Sequence, residues 1–385
     1  MKENKIPTLI QMTKQIKAEV PDPVEQGIRV FNFIDWKANR EKTPISGRFE
    51  LTPFCNLDCK MCYINLNHRQ STEGGLMPPE KWIRLADEAR ENGMISISLT
   101  GGECLTYSGF DEVYLHLFKS GFAISILSNG LLMDPHRIEF LQRYPPKQIR
   151  ITLYGGSEDE YELVTGHRVY EIVCRNIRAI REAGLPISIT ITPNPFSKDD
   201  QHSILESADE LGVPYAINAA LILPRENTGR RGTFDIRNDP FIEICRAHYE
   251  RRKVSLKPLD ISYLPAPGLD TGEIKKGLLC RAGRSSFTIQ YDGKMCPCSG
   301  LDEITTRPIE VGFRNAWEEL KEKTDAWLRP AECDTCVYQR SCLVCPAIHK
   351  GAPEGHCDRR ICERTIQMIR EGMWKPPDEL ETCIQ

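Results

Sequence analysis

From residue 47 to about 219 the chain alternates short apolar runs with longer amphipathic stretches. The runs at 49–52, 95–99, 123–127, 148–154, 187–191 and 215–218 are mostly rich in Ile, Leu or Val, as strands buried in a parallel sheet are. Between them the apolar spacing turns helical. Phe110, Val113, Leu117 and Phe118 fall on one helix face, and Val169, Ile172, Val173, Ile177 and Ile180 on another. Pro78-Pro79 opens one helix that Gly93 closes, and Gly121 and Gly184 close two more. Six strand–helix units in succession predict an α/β fold with a parallel sheet and right-handed crossovers. Six units are too few to close an eight-stranded barrel, so the expectation is an open (β/α)6 partial TIM barrel.

The pattern divides the chain into four segments. Residues 1–46 are polar and weakly helical, and read as a lead-in or cap; residues 47–220 form the barrel. Residues 221–279 form a bridge that starts rich in Pro, Gly and Arg (Pro224, Arg225, Gly229, Arg230, Arg231, Gly232) and has one helical pattern near 239–252. Its arginines either contact a substrate carboxylate or acidic peptide, or are simply solvated. Residues 280–385 are rich in cysteine.

Composition narrows the function classes. A chain of 385 residues, 40% hydrophobic and 27% charged, is an ordinary soluble globular protein with room for two or more domains. A net charge of −4 and a pI near 6.1 lack the basic footprint of nucleic-acid binding. No apolar run reaches the length of a membrane span, and the start Met1-Lys-Glu-Asn-Lys-Ile-Pro7 has no signal core, so a cytoplasmic protein is expected. Sixteen cysteines without a secretion signal point to thiolates serving metals rather than to disulfides. Such metal chemistry suits a low-oxygen setting.

Cys55, Cys59 and Cys62, with Tyr63 after them, lie in a short stretch just past the first strand. A loop can wrap three thiolates around one inorganic cluster where a helix or strand would splay them. Three thiolates on a four-iron cluster leave one iron open, whereas structural zinc and iron–sulfur sites are normally closed by four protein ligands. The bland readings are a zinc knuckle or buried core cysteines. After the second strand comes Thr100-Gly101-Gly102-Glu103, two glycines that let backbone approach a ligand closely, with a carboxylate beside them. Ser128-Asn129-Gly130 follows the third strand and is equally a turn filled by its favoured residues.

These residues resemble the radical S-adenosylmethionine (SAM) enzymes. The resemblance implies that Cys55, Cys59 and Cys62 hold a [4Fe–4S] cluster whose open iron chelates SAM. An electron from the cluster then cleaves SAM to a 5′-deoxyadenosyl radical, which takes a hydrogen from substrate. It also implies that Gly101, Gly102 and Glu103 contact the amino group of SAM. Ser128 and Asn129 would lie near its ribose or carboxylate, and Tyr63, Thr152 and Asn194 would be further cofactor contacts at strand ends. Proline usually follows the glycine–glycine–glutamate run; here it is Cys104, a thiol near the site or a small buried filler. Arg168 is either a carboxylate grip or a solvated side chain.

Nine cysteines then fall between residues 280 and 362 (Cys280, Cys296, Cys298, Cys333, Cys336, Cys342, Cys345, Cys357 and Cys362), a density that calls for metal. With the strand-like run 286–291 and the turn Asp292-Gly293, they resemble the SPASM extension of radical SAM enzymes, which holds two auxiliary [4Fe–4S] clusters. By position, Cys280, Cys298 and Cys345 would serve the first, with Cys296 a further candidate. Cys333, Cys336 and Cys342 would serve the second, closed by Cys357 or Cys362. The rival is a structural zinc module.

SPASM enzymes commonly act on peptides, so the resemblance implies a peptide substrate, most simply a ribosomally made precursor that is crosslinked, and an electron donor such as flavodoxin or ferredoxin. About forty-five residues before the barrel are too few for the winged-helix leader-binding module often found in such enzymes. Peptide epimerases need a hydrogen-donating thiol, for which Cys104, Cys174 and Cys245 are candidates. In the sulfatase-maturing branch an acidic residue tends to follow the second auxiliary cysteine; here Ser299 follows Cys298, which speaks against that branch. A haem-pathway decarboxylase is a further enzyme alternative, and a non-catalytic iron–sulfur or zinc protein that binds a partner is the alternative of another class.

Overall fold

The structure is a computed structural model that describes residues 23–64, 66, 75–196, 201–218, 221–222, 224–225, 240–252, 278, 280–327, 336, 338 and 359–373. Cys333, Cys342, Cys345 and Cys357, much of the bridge and residues 1–22 lie outside the described residues.

All six predicted strands are present: β1 (Ser46–Glu50), β2 (Ser96–Thr100), β3 (Ala123–Ser128), β4 (Gln148–Leu153), β5 (Ile187–Ile191) and β6 (Tyr215–Ile217). They pair in parallel in chain order, β1 with β2 through to β5 with β6. The sheet then goes further than the six-strand pattern. β7 (Ser286–Ile289) lies parallel to β1, with Ser46 opposite Ser286 and Phe49 opposite Ile289, and β8 (Met295–Cys296) returns antiparallel to β7. The predicted turn at Asp292-Gly293 joins β7 to β8, with Gly293 at a positive φ of 83°. The eight strands run β6-β5-β4-β3-β2-β1-β7-β8, and among the described residues the edges β6 and β8 do not pair, so the barrel is open there.

Period-two alternation gives the sheet two unlike faces. Phe49, Leu51, Ile97, Leu99, Ile124, Ile126, Ile149, Ile151 and Leu153 are buried on the outer face against helices. Opposite them α2 (Pro79–Glu91) offers Trp82, Leu85, Ala86 and Ala89, and α3 (Phe110–Lys119) offers Phe110, Val113, Tyr114 and Leu117. Each buried Val, Leu, Ile or Phe among them contributes about 1.5–3 kcal/mol of hydrophobic stabilisation. The inner face carries Arg48, Ser96, Ser98, Ser125, Gln148 and Thr190, all half-buried, so water reaches into the barrel.

The remaining helices of the barrel are α4 (Pro135–Arg143), α5 (Glu158–Thr165), α6 (Tyr170–Glu182) and α7 (Gln201–Leu211). In α6 the buried positions are Val173, Cys174, Asn176, Ile177 and Ile180. Ile172, predicted on this face, is 37% exposed, because it stands one position short of the stripe that meets the sheet.

The two ends of the described chain meet the barrel at different places. Helix α1 (Pro23–Glu41) sits against the region after Cys280: Arg281 pairs with Asp35 at 2.7 Å, and Arg284 Nε donates to Asn39 Oδ1 at 3.2 Å. After α8 (Phe241–Arg252) and the hairpin come α9 (Pro308–Val311) and α10 (Phe313–Asp325), whose Phe313 and Trp317 stack edgewise on Phe287 of β7. Helix α11 (Arg359–Arg370) returns to α8, where Arg246 pairs with Glu371 at 2.9 Å. No helix among the described residues is long and apolar enough to cross a membrane.

Candidate active site

The chain leaves β1 at Glu50 and enters the loop carrying Cys55, Cys59 and Cys62 at the carboxyl end of the sheet. One side of this loop is pinned to α5. Asp58 and Lys60 donate backbone N–H groups to the carbonyls of Thr165 and Val164, each at 3.0 Å, while Leu57 and Met61 pack with Val164 and Leu221. The other side is pinned to the loop after β2, where the N–H groups of Gly102 and Glu103 donate to the carbonyls of Thr52 (2.7 Å) and Phe54 (2.9 Å). A Cβ at Gly101 would stand 2.4 Å from Thr52 O, and one at Gly102 would stand 2.3 Å from Phe54 O. The sequence predicts glycines that make room for a ligand. What they make room for here is the stem of the cysteine loop itself.

Glu103 fixes a third strand end to this pair of loops. Its buried carboxylate accepts from Leu105 N–H at 3.1 Å through Oε1, and from Ser128 Oγ (3.1 Å) and Asn129 N–H (2.7 Å) through Oε2. Burial pushes its pKa up, and these donors draw it partly back. Asn129 reaches on to the cysteine loop, donating from Nδ2 to Asn56 Oδ1 at 2.7 Å and lying 3.6 Å from Cys55 Sγ. Leu57 N–H also points at Cys55 Sγ, at 3.4 Å. So Gly101, Gly102, Glu103, Ser128 and Asn129 meet the cysteine loop in one cluster, although β1, β2 and β3 each supply only a part.

Tyr154, just past β4, is a site residue that the sequence reading leaves unassigned. Its hydroxyl is hydrogen-bonded to Cys59, and its phenol is pushed well up, first by burial and then by Cys59, Cys55 and Cys62. All three cysteines therefore lie near this one buried phenol. The signal was positional: Tyr154 ends a strand at the rim where βα folds gather chemistry. Thr152, two residues earlier, is half-buried on the inner face. Asn194 is buried in a turn past β5, where Nδ2 donates to Thr192 O at 3.2 Å and Oδ1 accepts from Phe196 N–H at 3.1 Å.

A second missed group centres on Glu50. This carboxylate is fully buried and pairs with Arg225 at 2.9 Å. Ser299 Oγ donates to its Oε1 at 2.8 Å, and the hydroxyl of Tyr63 does so at 3.3 Å. Arg225 lies over the Tyr63 ring, 5.3 Å from its centroid, and donates its backbone N–H to Tyr63 O at 3.0 Å. Burial, and then the Glu50 charge, push the Tyr63 phenol up. The network ties the cysteine loop (Tyr63), the bridge (Arg225) and the C-terminal hairpin (Ser299) to β1. Arg225, for which the sequence offers a substrate contact or a solvated arginine, is buried rather than solvated and holds Glu50.

The described cysteines of the C-terminal region differ among themselves. Cys280 is exposed, and Cys298 is half-buried beside Leu278, Ala282 and Leu301. Cys296 is buried inside the hairpin, where Gln290 Nε2 lies 3.5 Å from its Sγ, and burial followed by the Glu50 charge push its thiol up. Cys336 is half-buried, and Cys362 stands half-buried in the first turn of α11. Cys104, Cys174 and Cys245 are all buried, the last two on helices outside the sheet. Arg168 is exposed and pairs with Asp159 (2.6 Å) and Glu162 (2.9 Å), so it is a surface side chain.

Among the described residues, no three His, Cys, Asp or Glu side chains converge as a single bound metal ion requires. The donor set of the triplet fits a larger thiolate-ligated cluster, because N–H groups from Leu57 and Asn129 already point at Cys55 Sγ and would offset thiolate charge.

Residues 49–211 match the Radical SAM superfamily. The chain is 23% identical over 325 residues to the AdoMet-dependent heme synthase of Methanosarcina barkeri, covering 78% of this chain and 90% of that one. It is 22% identical over 322 residues to the PqqA peptide cyclase of Streptomyces rochei, covering 82% and 84%. Among solved structures, Streptococcus suis SuiB bound to S-adenosylmethionine superposes with a TM-score of 0.64 at 18% identity, covering 91% of this chain and 87% of that one. SuiB has also been solved with its precursor peptide SuiA.

Proposed function

We propose that this chain is a radical SAM enzyme, as the match of residues 49–211 supports, and that it modifies a peptide, most simply by crosslinking a ribosomally made precursor. The observation that carries the reading is the cysteine loop standing at the carboxyl end of an open barrel, above an inner face that is polar and reached by water. A closed barrel is packed with apolar side chains; an open polar one accepts an extended chain. Relatives support the substrate class, since one is a PqqA peptide cyclase and SuiB binds a precursor peptide.

We assign Cys55, Cys59 and Cys62 as ligands of a [4Fe–4S] cluster. Such a cluster, once reduced, would supply the electron that cleaves bound SAM to methionine and a 5′-deoxyadenosyl radical able to take an unactivated hydrogen. The protein's part is positional. Asn129 and Leu57 donate toward Cys55, Tyr154 toward Cys59, and Glu103 holds the loops beneath them. Two auxiliary clusters are part of the proposal. For the first, Cys280 and Cys298 are better ligands than Cys296, whose thiol is engaged within the hairpin by Gln290. An electron donor of the flavodoxin or ferredoxin kind would serve the reductive step. The sulfatase-type reading loses ground at Ser299, because the carboxylate nearest to it, Glu50, is held by Arg225 and is not free to act as a base. The one rival with a specific observation behind it is a haem-type reaction, from the match over most of a heme synthase.

The test is anaerobic. Reconstituted protein, dithionite and SAM are incubated with short peptides encoded beside its gene, and products are read by mass spectrometry. Deoxyadenosine together with loss of two hydrogens per modified peptide is the expected result, and replacing Cys55, Cys59 and Cys62 by Ala should abolish cleavage while auxiliary iron remains. Cleavage that survives those replacements removes the assignment. Loss of carbon dioxide from a propionate-bearing porphyrin, with peptides untouched, selects the haem-type rival.

A further inference from the structure

We propose that Arg48 and Arg150 form a carboxylate-binding subsite on the inner face of the barrel, which holds an acidic side chain of the peptide beneath the cysteine loop. The inference deepens the peptide reading above and rests on it.

Strand alternation puts both arginines inside. Arg48 stands between the buried Gly47 and Phe49 of β1, and Arg150 between the buried Ile149 and Ile151 of β4, itself exposed to the lumen. Most of their inner-face neighbours are short: Ser98 is opposite Arg48, Ser125 is opposite Ser98, and Ser188 is opposite Arg150 on the β5 side, while Leu127 is opposite Arg150 on the β3 side. Both arginines therefore stand on one face of the sheet, and the positive charge of Arg48 adds to burial in lowering the Arg150 pKa. Two guanidinium groups approaching in a half-enclosed polar space repel, and an anion between them relieves the repulsion.

No carboxylate of the described residues does so. Arg48 Nη1 donates to Ser299 Oγ at 3.2 Å, and Arg150 Nη2 to Gln148 Oε1 at 3.1 Å, both neutral oxygens. The acid closest to Arg48 along its own strand, Glu50, is committed to Arg225. Elsewhere the chain pairs its arginines, Arg137 with Asp111 and Arg251 with Glu206 and Asp209 among them. A pair left with only neutral acceptors, at the wall of an open lumen, stands out against that habit. Guanidinium forks match a carboxylate's two oxygens, which a lysine pair would not.

Depth fits as well. Arg150 lies four residues below Tyr154 on its strand, about 13 Å at the usual rise, and Arg48 two residues below Glu50, about 7 Å. A glutamate or aspartate gripped there would keep its own backbone and neighbouring residues nearer the cysteine loop, where the reacting hydrogen must lie.

The experiment uses the full chain, reconstituted and with SAM bound. Its probes are a short capped peptide with one central glutamate, the same peptide with glutamine, and a propionate-bearing porphyrin, each titrated by calorimetry. The glutamate peptide should bind about tenfold tighter than its glutamine counterpart. That ratio should fall to about one in R48Q and in R150Q and be partly kept in R150K, a pattern that a merely structural role would not produce. Equal binding of the two peptides, or a ratio unchanged in R48Q and R150Q, overturns the subsite. Porphyrin binding that is lost in both variants, with no discrimination between the peptides, overturns the peptide as its source. Deoxyadenosine formed by the unaltered protein in the same samples separates the two levels. If it forms while the peptides bind alike, the subsite alone is lost; if it does not form while the ratio holds, the radical reading is lost and the anion site remains.

Discussion

Glu50 shows how one residue decides the quality of a site it does not enter. A buried carboxylate is costly unless paired and hydrogen-bonded, and here Arg225, Ser299 and Tyr63 all bond it. Removing one partner leaves a buried charge behind. Glu50→Gln and Arg225→Met should therefore each destabilise by about 3–5 kcal/mol, while the double replacement by Met recovers part of the loss. Urea midpoints of the three variants check this; a double variant no better than the worse single one would mean that the pair is not a closed unit. Part of the group was legible in the sequence. Arg48 and Glu50 alternate with Phe49 and Leu51, which is a strand with a charged inner face. Its partner was not, because Arg225 lies 175 residues away in a stretch without periodicity. The cysteine triplet and the Gly101-Gly102-Glu103 run were legible because their chemistry is local. That the glycines serve loop-to-loop contact was not, since the approach to Thr52 and Phe54 exists only once β1 and β2 are side by side.

At the scale of elements, period decides what can be read. The strands of the barrel announce themselves by short Ile- and Leu-rich runs, and the helices by apolar positions three and four apart. Helix α6 marks where that reading blurs. Ile172 and Ile177 are both apolar and both near the predicted stripe, yet the first is 37% exposed and the second fully buried. Ile177→Ala should cost about 2–5 kcal/mol through lost burial and a cavity, whereas Ile172→Ser should stay within about 0.5 kcal/mol. Thermal denaturation of the two variants tests the assignment of faces. Equal losses would mean that α6 is rotated by a residue from the arrangement described.

The largest departure from the sequence lies at the scale of the whole molecule. Segment boundaries drawn from composition separate a barrel from a cysteine-rich module, but hydrogen bonding joins them: β7 is the neighbour of β1, and Phe287 fills space beside Gly47, where a Cβ would stand 2.9 Å from its ring. Strand order is a non-local property, so nothing in the run 286–291 said which edge it would take. Pairing there matters because without β7 the β1 edge would expose a row of unpaired N–H and C=O groups beside the cysteine loop. The barrel and the hairpin should accordingly unfold together. Phe287→Ala removes a ring that is 2% exposed and packed on Phe313 and Trp317, a loss of about 3–5 kcal/mol. Read by native-state hydrogen exchange, that variant should show amides of β1, β2 and β8 losing protection by similar amounts. Loss confined to β7 and β8, with β2 unchanged, would mean two independent units, and the Glu50 network would then be a contact between them rather than a part of one core.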